Sequence, residues 1–326
     1  MLVLGLQGSP RIKGNTSILL TEFLGEAERI GANTCCIDVS RKDISPCQEC
    51  GNCEKKGYCP IDDDMQQIYP LLRRAEIIVM ATPVFFYGPT AQLKALIDRS
   101  QTLWARRYVH SLVDPGRRWR QGVLLSVGAT KGHDLFQGIG LTAKYFFDAL
   151  GARFEGAQDS LTYRQVEEAG EIKQHPTALP DARQKARALV PPFVQRKKIL
   201  FLSTADACRS QMASALAQYH WGDRMEIESA GTTPAPKLHP FTEEVMEEKG
   251  IDMAFREPKT IDEATRAGMP ELVVSVGHEE ARAPLSNVPK HTWDLSDPSG
   301  QSIEFIREMR HDIENRLEKL IPEWLV

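Results

Sequence analysis

Four cysteines, Cys47, Cys50, Cys53 and Cys59, fall within thirteen residues, and Pro60 follows the last. Three thiolates spaced three residues apart on a tight loop can bind three corners of one inorganic cluster. Cys59, two residues beyond Gly57, can return as the fourth ligand. All-thiolate ligation suits an iron–sulfur centre or zinc. Zinc more often takes CxxC pairs separated by a longer gap. The same spacing also allows free or redox-active thiols. The other three of the seven cysteines, Cys35, Cys36 and Cys208, stand apart from this group. The adjacent pair Cys35–Cys36 is expected on a strand, as packing.

A second set of residues suits an anion. Gly8-Ser9-Pro10-Arg11 and Gly14-Asn15-Thr16-Ser17 lie between an apolar run and an amphipathic stretch. Backbone N–H groups at a helix N-terminus favour negative charge. Ser9, Asn15, Thr16 and Ser17 add polar groups and Arg11 a charge. The spacing is neither GxGxxG nor GxxxxGK[ST], so a monophosphate such as that of FMN fits better than a dinucleotide or a triphosphate. An ordinary capped helix after a Gly-Pro turn reads the same way. Farther on, Thr82 leads into Pro83-Val84-Phe85-Phe86-Tyr87-Gly88, an aromatic loop able to border a flat ring or to pack on the core. Ser126, Gly128 and Ala129 close another strand with small residues, which lets backbone approach a ligand.

These loops need a frame that brings them to one edge. Strands are predicted at Leu2–Leu6, Asn33–Val39, Ile77–Met80 and Val123–Val127. Helices are predicted from about Thr16, over Met65–Arg74, over Ala91–Leu103 and over Gly140–Leu150. That alternation means an α/β domain with a parallel sheet. Ligands of such sheets sit beyond the C-terminal strand ends, where all three loops fall.

At 326 residues the chain has room for two domains. The stretch from Pro176 to Pro192 is polar and proline-rich around a short charged helix, Asp181–Leu189. We therefore divide the chain into 1–190, a linker 191–196, and 197–326. A new strand–loop–helix series starts at Lys198 and ends in an amphipathic helix over Ile303–Leu320. That helix has a charged face (Glu304, Arg307, Arg310, Glu314, Arg316, Glu318) expected to be solvated. The expected architecture is two doubly wound parallel-sheet α/β domains fused in series.

Composition is that of a soluble globular protein, 42% hydrophobic and 26% charged. A net charge of -4 is too small to imply nucleic acid or a membrane surface. No run of about 18 apolar residues occurs. The start of the chain lacks a basic region and a long apolar stretch, so it reads as a first strand and the expected location is cytoplasmic. The eight histidines show no HxxxH or HExxH spacing, and none is assigned to metal.

On Gly8–Ser17, Thr82–Gly88, Lys94 and Asp98-Arg99, the first half resembles the NADPH-dependent FMN reductase superfamily. The insertion Cys47-x2-Cys50-x2-Cys53-x5-Cys59-Pro60 makes it resemble the iron–sulfur flavoproteins of anaerobic archaea and bacteria. The resemblance implies a flavodoxin-like fold with FMN at the first loop. It also implies a 4Fe–4S cluster on the four cysteines and an electron-transfer function. NAD(P)H as a substrate is implied by the resemblance alone. So are a redox partner such as a ferredoxin or a small-molecule acceptor, and a homo-oligomer, dimer or tetramer.

The second half resembles the low-molecular-weight tyrosine phosphatases and the arsenate reductases of the same fold. The likeness rests on Ile199–Met212, Ser229-Ala230-Gly231-Thr232, His239-Pro240, Lys249-Gly250-Ile251-Asp252 and Asp297-Pro298. That family's loop is Cys-x5-Arg. Here Ser203 stands at the cysteine position, Thr204, Ala205, Asp206, Ala207 and Cys208 follow, and Arg209 and Ser210 are kept. A serine hydroxyl needs an adjacent base to act as a nucleophile. Asp206 is expected to bring negative charge beside a site built for an anion. Val276-Gly277-His278 occupies the region of the reductases' later cysteines, and no cysteine follows Cys208. Asp297 matches the family's general acid. Ser203, Arg209 and Asp297 are thus a remnant expected to be inactive, and no catalytic residue is assigned in the redox half. Two alternatives stand beside this: an oxyanion-binding sensor that regulates the redox half, and a fused reductase or phosphatase using Ser203 or Cys208. Cys208, at a predicted helix start, is either a reactive thiol or buried packing.

Overall fold

The computed structural model describes residues 1–277 and 285–325, so His278 and Val326 lie outside the described residues. The chain divides into two compact units, Met1–Ser111 with Gly116–Gln195, and Leu112–Pro115 with Arg196–Val326.

In the first unit five strands, β1 (Leu2–Gln7), β2 (Asn33–Asp38), β3 (Ile77–Pro83), β4 (Gln121–Gly128) and β5 (Ser160–Arg164), form one sheet in the order β2-β1-β3-β4-β5. Every pairing is parallel. The order reverses between β1 and β3, the switch point where such sheets open a crevice. Helices are α1 (Asn15–Ile30), α2 (Asn52–Lys56), α3 (Met65–Arg74), α4 (Ala91–Arg99), α5 (Gln101–Tyr108), α6 (Gln137–Ala149), α7 (Ala178–Leu189) and α8 (Pro191–Val194). One face of the sheet (Val3, Val79, Val123, Leu125) packs on Leu19, Phe23 and Ala27 of α1 and Ala182 and Ala186 of α7.

Four features differ from the sequence reading. The single helix expected over Ala91–Leu103 is broken at Ser100, whose hydroxyl donates to Leu96 O at 3.0 Å and bends the chain. Strand β5 was not predicted; it is a half-polar edge strand with no apolar run. Pro191–Val194, placed in a linker, is helical, and Phe193 is buried in the first unit's core. Leu112–Pro115 falls inside 1–190 but belongs to the second unit, because Val113 N–H donates to Gly250 O (2.7 Å) and Asp252 N–H to Val113 O (2.9 Å).

The second unit holds β6 (Lys197–Ser203), β7 (Met225–Gly231), β8 (Leu272–Ser275) and β9 (Lys290–Thr292), all parallel, in the order β7-β6-β8-β9. Its helices are α9 (Arg209–Trp221), α10 (Pro240–Glu247), α11 (Ile261–Thr265) and α12 (Ile303–Leu325). Alternation along β6 sends Ile199 and Phe201 to the α9–α12 face and Leu200 and Leu202 to the α11 face. The buried stripe Ile306, Met309, Ile313, Leu317 and Ile321 keeps helical spacing along α12. Its charged face is partly paired: Arg307 and Arg310 both reach Glu248. No helix among the described residues is long and apolar enough to cross a membrane.

Candidate functional site

The crevice at the β1/β3 switch is a cleft of about 230 Å³. One wall is the loop from β1 to α1, contributing Ser9, Pro10, Arg11, Gly14, Asn15 and Thr16. α1 starts from Gly14 with no side-chain cap and no acidic residue in its first turn, so its leading N–H groups are left for another acceptor. The opposite walls are Pro83, Val84 and Phe85 after β3, Val127, Gly128 and Ala129 at the end of β4, and Val166 and Glu167 after β5. Arg11 Nη1 donates to Glu167 O (3.0 Å), and the Asn15 amide both donates to Glu168 O (2.9 Å) and accepts from Ile172 N–H (3.2 Å). Asn15 therefore fastens the loop rather than offering its amide to a ligand.

The cleft thus gathers Ser9, Arg11, Asn15, Thr16, Pro83, Val84, Phe85, Gly128 and Ala129 from the sequence-predicted set. It does not include Ser17, Phe86, Tyr87, Gly88 or Ser126. The buried Ser126 hydroxyl donates to Thr82 O at 2.8 Å, which makes it a link between strands. Phe86 and Tyr87 form the tip of a two-residue turn closed by paired backbone bonds between Phe85 and Gly88, both 2.9 Å. Both have positive φ, 48° and 63°, and both side chains are exposed. Bulky residues in that conformation cost about 1–3 kcal/mol each. Tyr87 is held from below, since a side chain at Gly138 would strike its carbonyl. Val166 and Glu167 were missed by the sequence reading; they follow the unpredicted β5 and carry no motif.

The four clustered cysteines are on a loop that includes the short α2. Cys47 and Cys50 are exposed, Cys53 and Cys59 half-buried, and none of the seven cysteines forms a disulfide. Glu49 N–H donates to Cys47 Sγ at 3.5 Å. Burial pushes the Cys53 thiol up, its own N–H and that of Glu54 pull it down, and Cys47 raises it further. Four free thiols, one of them accepting a backbone N–H, match the donor chemistry of an iron–sulfur centre. Among the described residues no three cysteine, histidine or carboxylate side chains stand close enough to share one ion. Cys35 and Cys36 lie on edge strand β2, half-buried and exposed, so the packing expected of them holds for neither fully.

In the second unit the loop Ser203–Ser210 joins β6 to α9. Its carbonyls are taken by the neighbouring segment: Thr232, Thr233, Ala235 and His239 N–H donate to Ser203, Thr204, Ala205 and Ala207 O at 2.8–3.0 Å. Asp206 is fully buried with φ 47°. Its carboxylate accepts from Ser210 Oγ (2.7 Å), Gln211 Nε2 (3.1 Å), Ser229 Oγ (3.3 Å) and Lys259 N–H (2.9 Å). The charge expected beside the anion site is instead a buttress beneath the loop. Burial pushes this carboxyl up, against the Lys259 N–H and Ser210 hydroxyl bonds that favour its charge. Ser210 gives its one proton to Asp206, so across the 2.8 Å contact Ser203 donates to Ser210. Ser203 Oγ also accepts Asp206 N–H at 2.9 Å. The Asp206 carboxylate thus meets the Ser203 hydroxyl only through Ser210 and does not accept its proton directly. Cys208 is buried at the start of α9, and burial pushes its thiol up to about 11. Burial and a raised thiol are what packing gives, and both disfavour the thiolate that a nucleophile needs. Asp297 is held below the usual carboxylate range by the N–H and hydroxyl of Ser299.

Both sheets belong to the doubly wound α/β class, flavodoxin-like in strand order in the first unit. Residues 1–137 match the family described as NADPH-dependent FMN reductase, and residues 198–325 the one described as low molecular weight phosphotyrosine protein phosphatase. The chain is 42% identical over 103 residues to an iron–sulfur flavoprotein of Methanocaldococcus jannaschii, covering 32% of this chain and 53% of that protein. It is 45% identical over 107 residues to an iron–sulfur flavoprotein of Archaeoglobus fulgidus, covering 33% and 54%. It therefore spans about half the length of these flavoproteins. The second half is 32% identical over 130 residues to a glutaredoxin arsenate reductase of Synechocystis, covering 39% of this chain and 98% of that protein. A solved arsenate reductase in its phosphate-binding state aligns at 29% identity over 39% of this chain and 98% of its own, with a TM-score of 0.35. The second half belongs with the arsenate reductases of the low molecular weight phosphatase family, and the first 137 residues are similar to the FMN reductases.

Proposed function

We propose that the first unit is a flavin-dependent oxidoreductase with FMN in the β1/β3 cleft and a 4Fe–4S cluster on Cys47, Cys50, Cys53 and Cys59. The second unit is then a phosphatase-family domain that does not catalyse. One observation carries the reading: a single sheet unit holds both a cleft ending at an uncapped helix N-terminus and a loop of four free thiols. When bound, FMN supplies one- and two-electron chemistry and the cluster supplies single electrons. The α1 amides and Arg11 would hold the phosphate. Val84, Phe85, Val127 and Val166 would shield the ring from water, and Gly128 would let backbone approach it. NAD(P)H as donor follows from the description of the matching family. A ferredoxin or a small-molecule acceptor, a cytoplasmic location, and a dimer or tetramer complete the proposal.

The test is purification without oxygen. Absorption, mass analysis of the released cofactor, and iron and sulfide content should report FMN with about four irons per chain. FAD, or no flavin after reconstitution, sinks the cleft assignment. Light scattering that gives a strict monomer with cofactors bound rejects the oligomer.

A further inference from the structure

The cysteine loop is gripped from one side by the helix pair α4–α5. Arg99, fully buried at the end of α4, donates to Ser45 O (3.0 Å), to Ile61 O (3.3 Å) and to both oxygens of Asp63 (2.5 and 3.2 Å). Those residues are the two feet of the loop, one before Cys47 and one after Cys59. Burial would raise the Asp63 carboxyl, yet Arg99 and the N–H groups of Ser45 and Met65 hold it below its ordinary value. Arg106, buried in α5, donates to Gly57 O (3.4 Å) and lies 4.9 Å from the Tyr58 ring centroid. Gly57 has φ 76°, and a Cβ there would collide with Arg106 Nη1. His110 Nε2 is 3.1 Å from Cys53 O; a carbonyl only accepts, so that nitrogen carries the proton.

The loop also presents an amide to sulfur. Glu49, itself at φ 51°, turns its N–H onto Cys47 Sγ at 3.5 Å. Such N–H···S bonds set the potential of a thiolate-bound centre.

We propose that Arg99, Arg106 and His110 are positioning residues that hold the loop's backbone carbonyls against α4–α5, so that the loop is already ordered when its four thiols gather on a cluster. The inference rests on the cluster reading above. An untethered loop of this length would have to be ordered during assembly, at a cost in backbone entropy for each residue fixed. The frame is also tied to the cleft. α4 begins at Thr90, whose hydroxyl donates to Gly8 O at 2.5 Å. One helix of nine residues, about 13 Å long, thus links the anion loop to the cysteine loop.

The test compares the full chain with Arg106→Gln, Arg106→Lys and Arg99→Gln. Each is made free of iron, then reconstituted with ferrous iron and sulfide while absorption is followed, with FMN content as an internal check on folding. Arg106→Gln should bind the cluster at least about tenfold more weakly and shift its midpoint potential, and Arg106→Lys should recover most of both. In the iron-free chain, amide exchange over residues 45–61 should quicken in Arg106→Gln and Arg99→Gln and stay unchanged in the sheet. Equal assembly, potential and exchange in all variants, with the unmodified chain taking up its cluster, overturns the inference. If the unmodified chain takes up no iron, the cluster reading fails; exchange over 45–61 then decides the clamp alone, and equal rates refute it.

Discussion

The two units place a loop at the same point, between the first strand of a parallel sheet and the helix that follows, yet the loops differ in what they leave available. Ser9–Asn15 runs into an uncapped helix beside apolar walls from β3, β4 and the segment after β5. Ser203–Ser210 carries its key hydroxyl in a chain that runs from Ser203 through Ser210 to a buried carboxylate. Binding needs only free amides and a shaped cleft, and the first loop offers both with little sequence signature. Covalent chemistry needs one particular atom, and the second loop keeps its frame while lacking that atom. Shared topology therefore says where a site would be, and the leftover hydrogen-bonding groups say what it does.

The comparison breaks most sharply at the cysteines. Replacing Cys53 by Ala should abolish the cluster and leave FMN in place, because the cleft shares no residue with that loop. Iron, sulfide and flavin analysis checks it; full iron content in all four single alanine variants would end the assignment.

The second loop should be recoverable. The unmodified chain should not turn over an aryl phosphate. Ser203→Cys should gain slow turnover, since the loop carbonyls stay anchored outward and Asp206 lies beneath the cradle. Adding Asp206→Asn should raise the rate further, because the Ser210 hydroxyl is then free to donate to the thiolate. Turnover by the unmodified chain that disappears in Ser203→Ala would reveal a serine mechanism and reverse this order.

The first loop can be made to resemble a satisfied one. Gly14→Asp puts a capping carboxylate on the α1 amides and repels a phosphate. FMN affinity should fall at least about tenfold, roughly 1.4 kcal/mol. Thermal stability without flavin should change little, since the cap offsets a Cβ set 3.1–3.2 Å from Arg11 and Ser9 atoms. Unchanged flavin affinity would remove the α1 amides from the site.

The smallest effect is on the pH dependence of stability. The folded-state pKa of Asp206 is raised, so its contribution is complete below the ordinary carboxylate range and is lost as pH rises through the folded value. Asp206→Asn removes that loss. The variant should match the parent in acid and exceed it by about 1 kcal/mol near pH 8, as read from thermal unfolding. A variant less stable at both ends would make the carboxylate a net stabiliser.

The sequence by itself determined four strands of the first sheet and the first strand of the second, the order of the loops and the spacing of the four thiols, because period-two and period-3.6 patterns and motif spacings are local properties. The apolar runs of β1, β3, β4 and β6 were legible for that reason. Only the tertiary structure decided that Val166 and Glu167 line the cleft and that Leu112–Pro115 joins the second unit. The same holds for Arg99 and Arg106 gripping the cysteine loop, and for Asp206 facing Ser229 and Lys259 beneath its own loop. Each of these depends on hydrogen bonds between residues from 23 to 156 positions apart, as with Ser229 to Asp206 and Arg11 to Glu167. Side chains and strand ends meet at such separations only once the sheet has closed, so no local pattern encodes the direction in which they point.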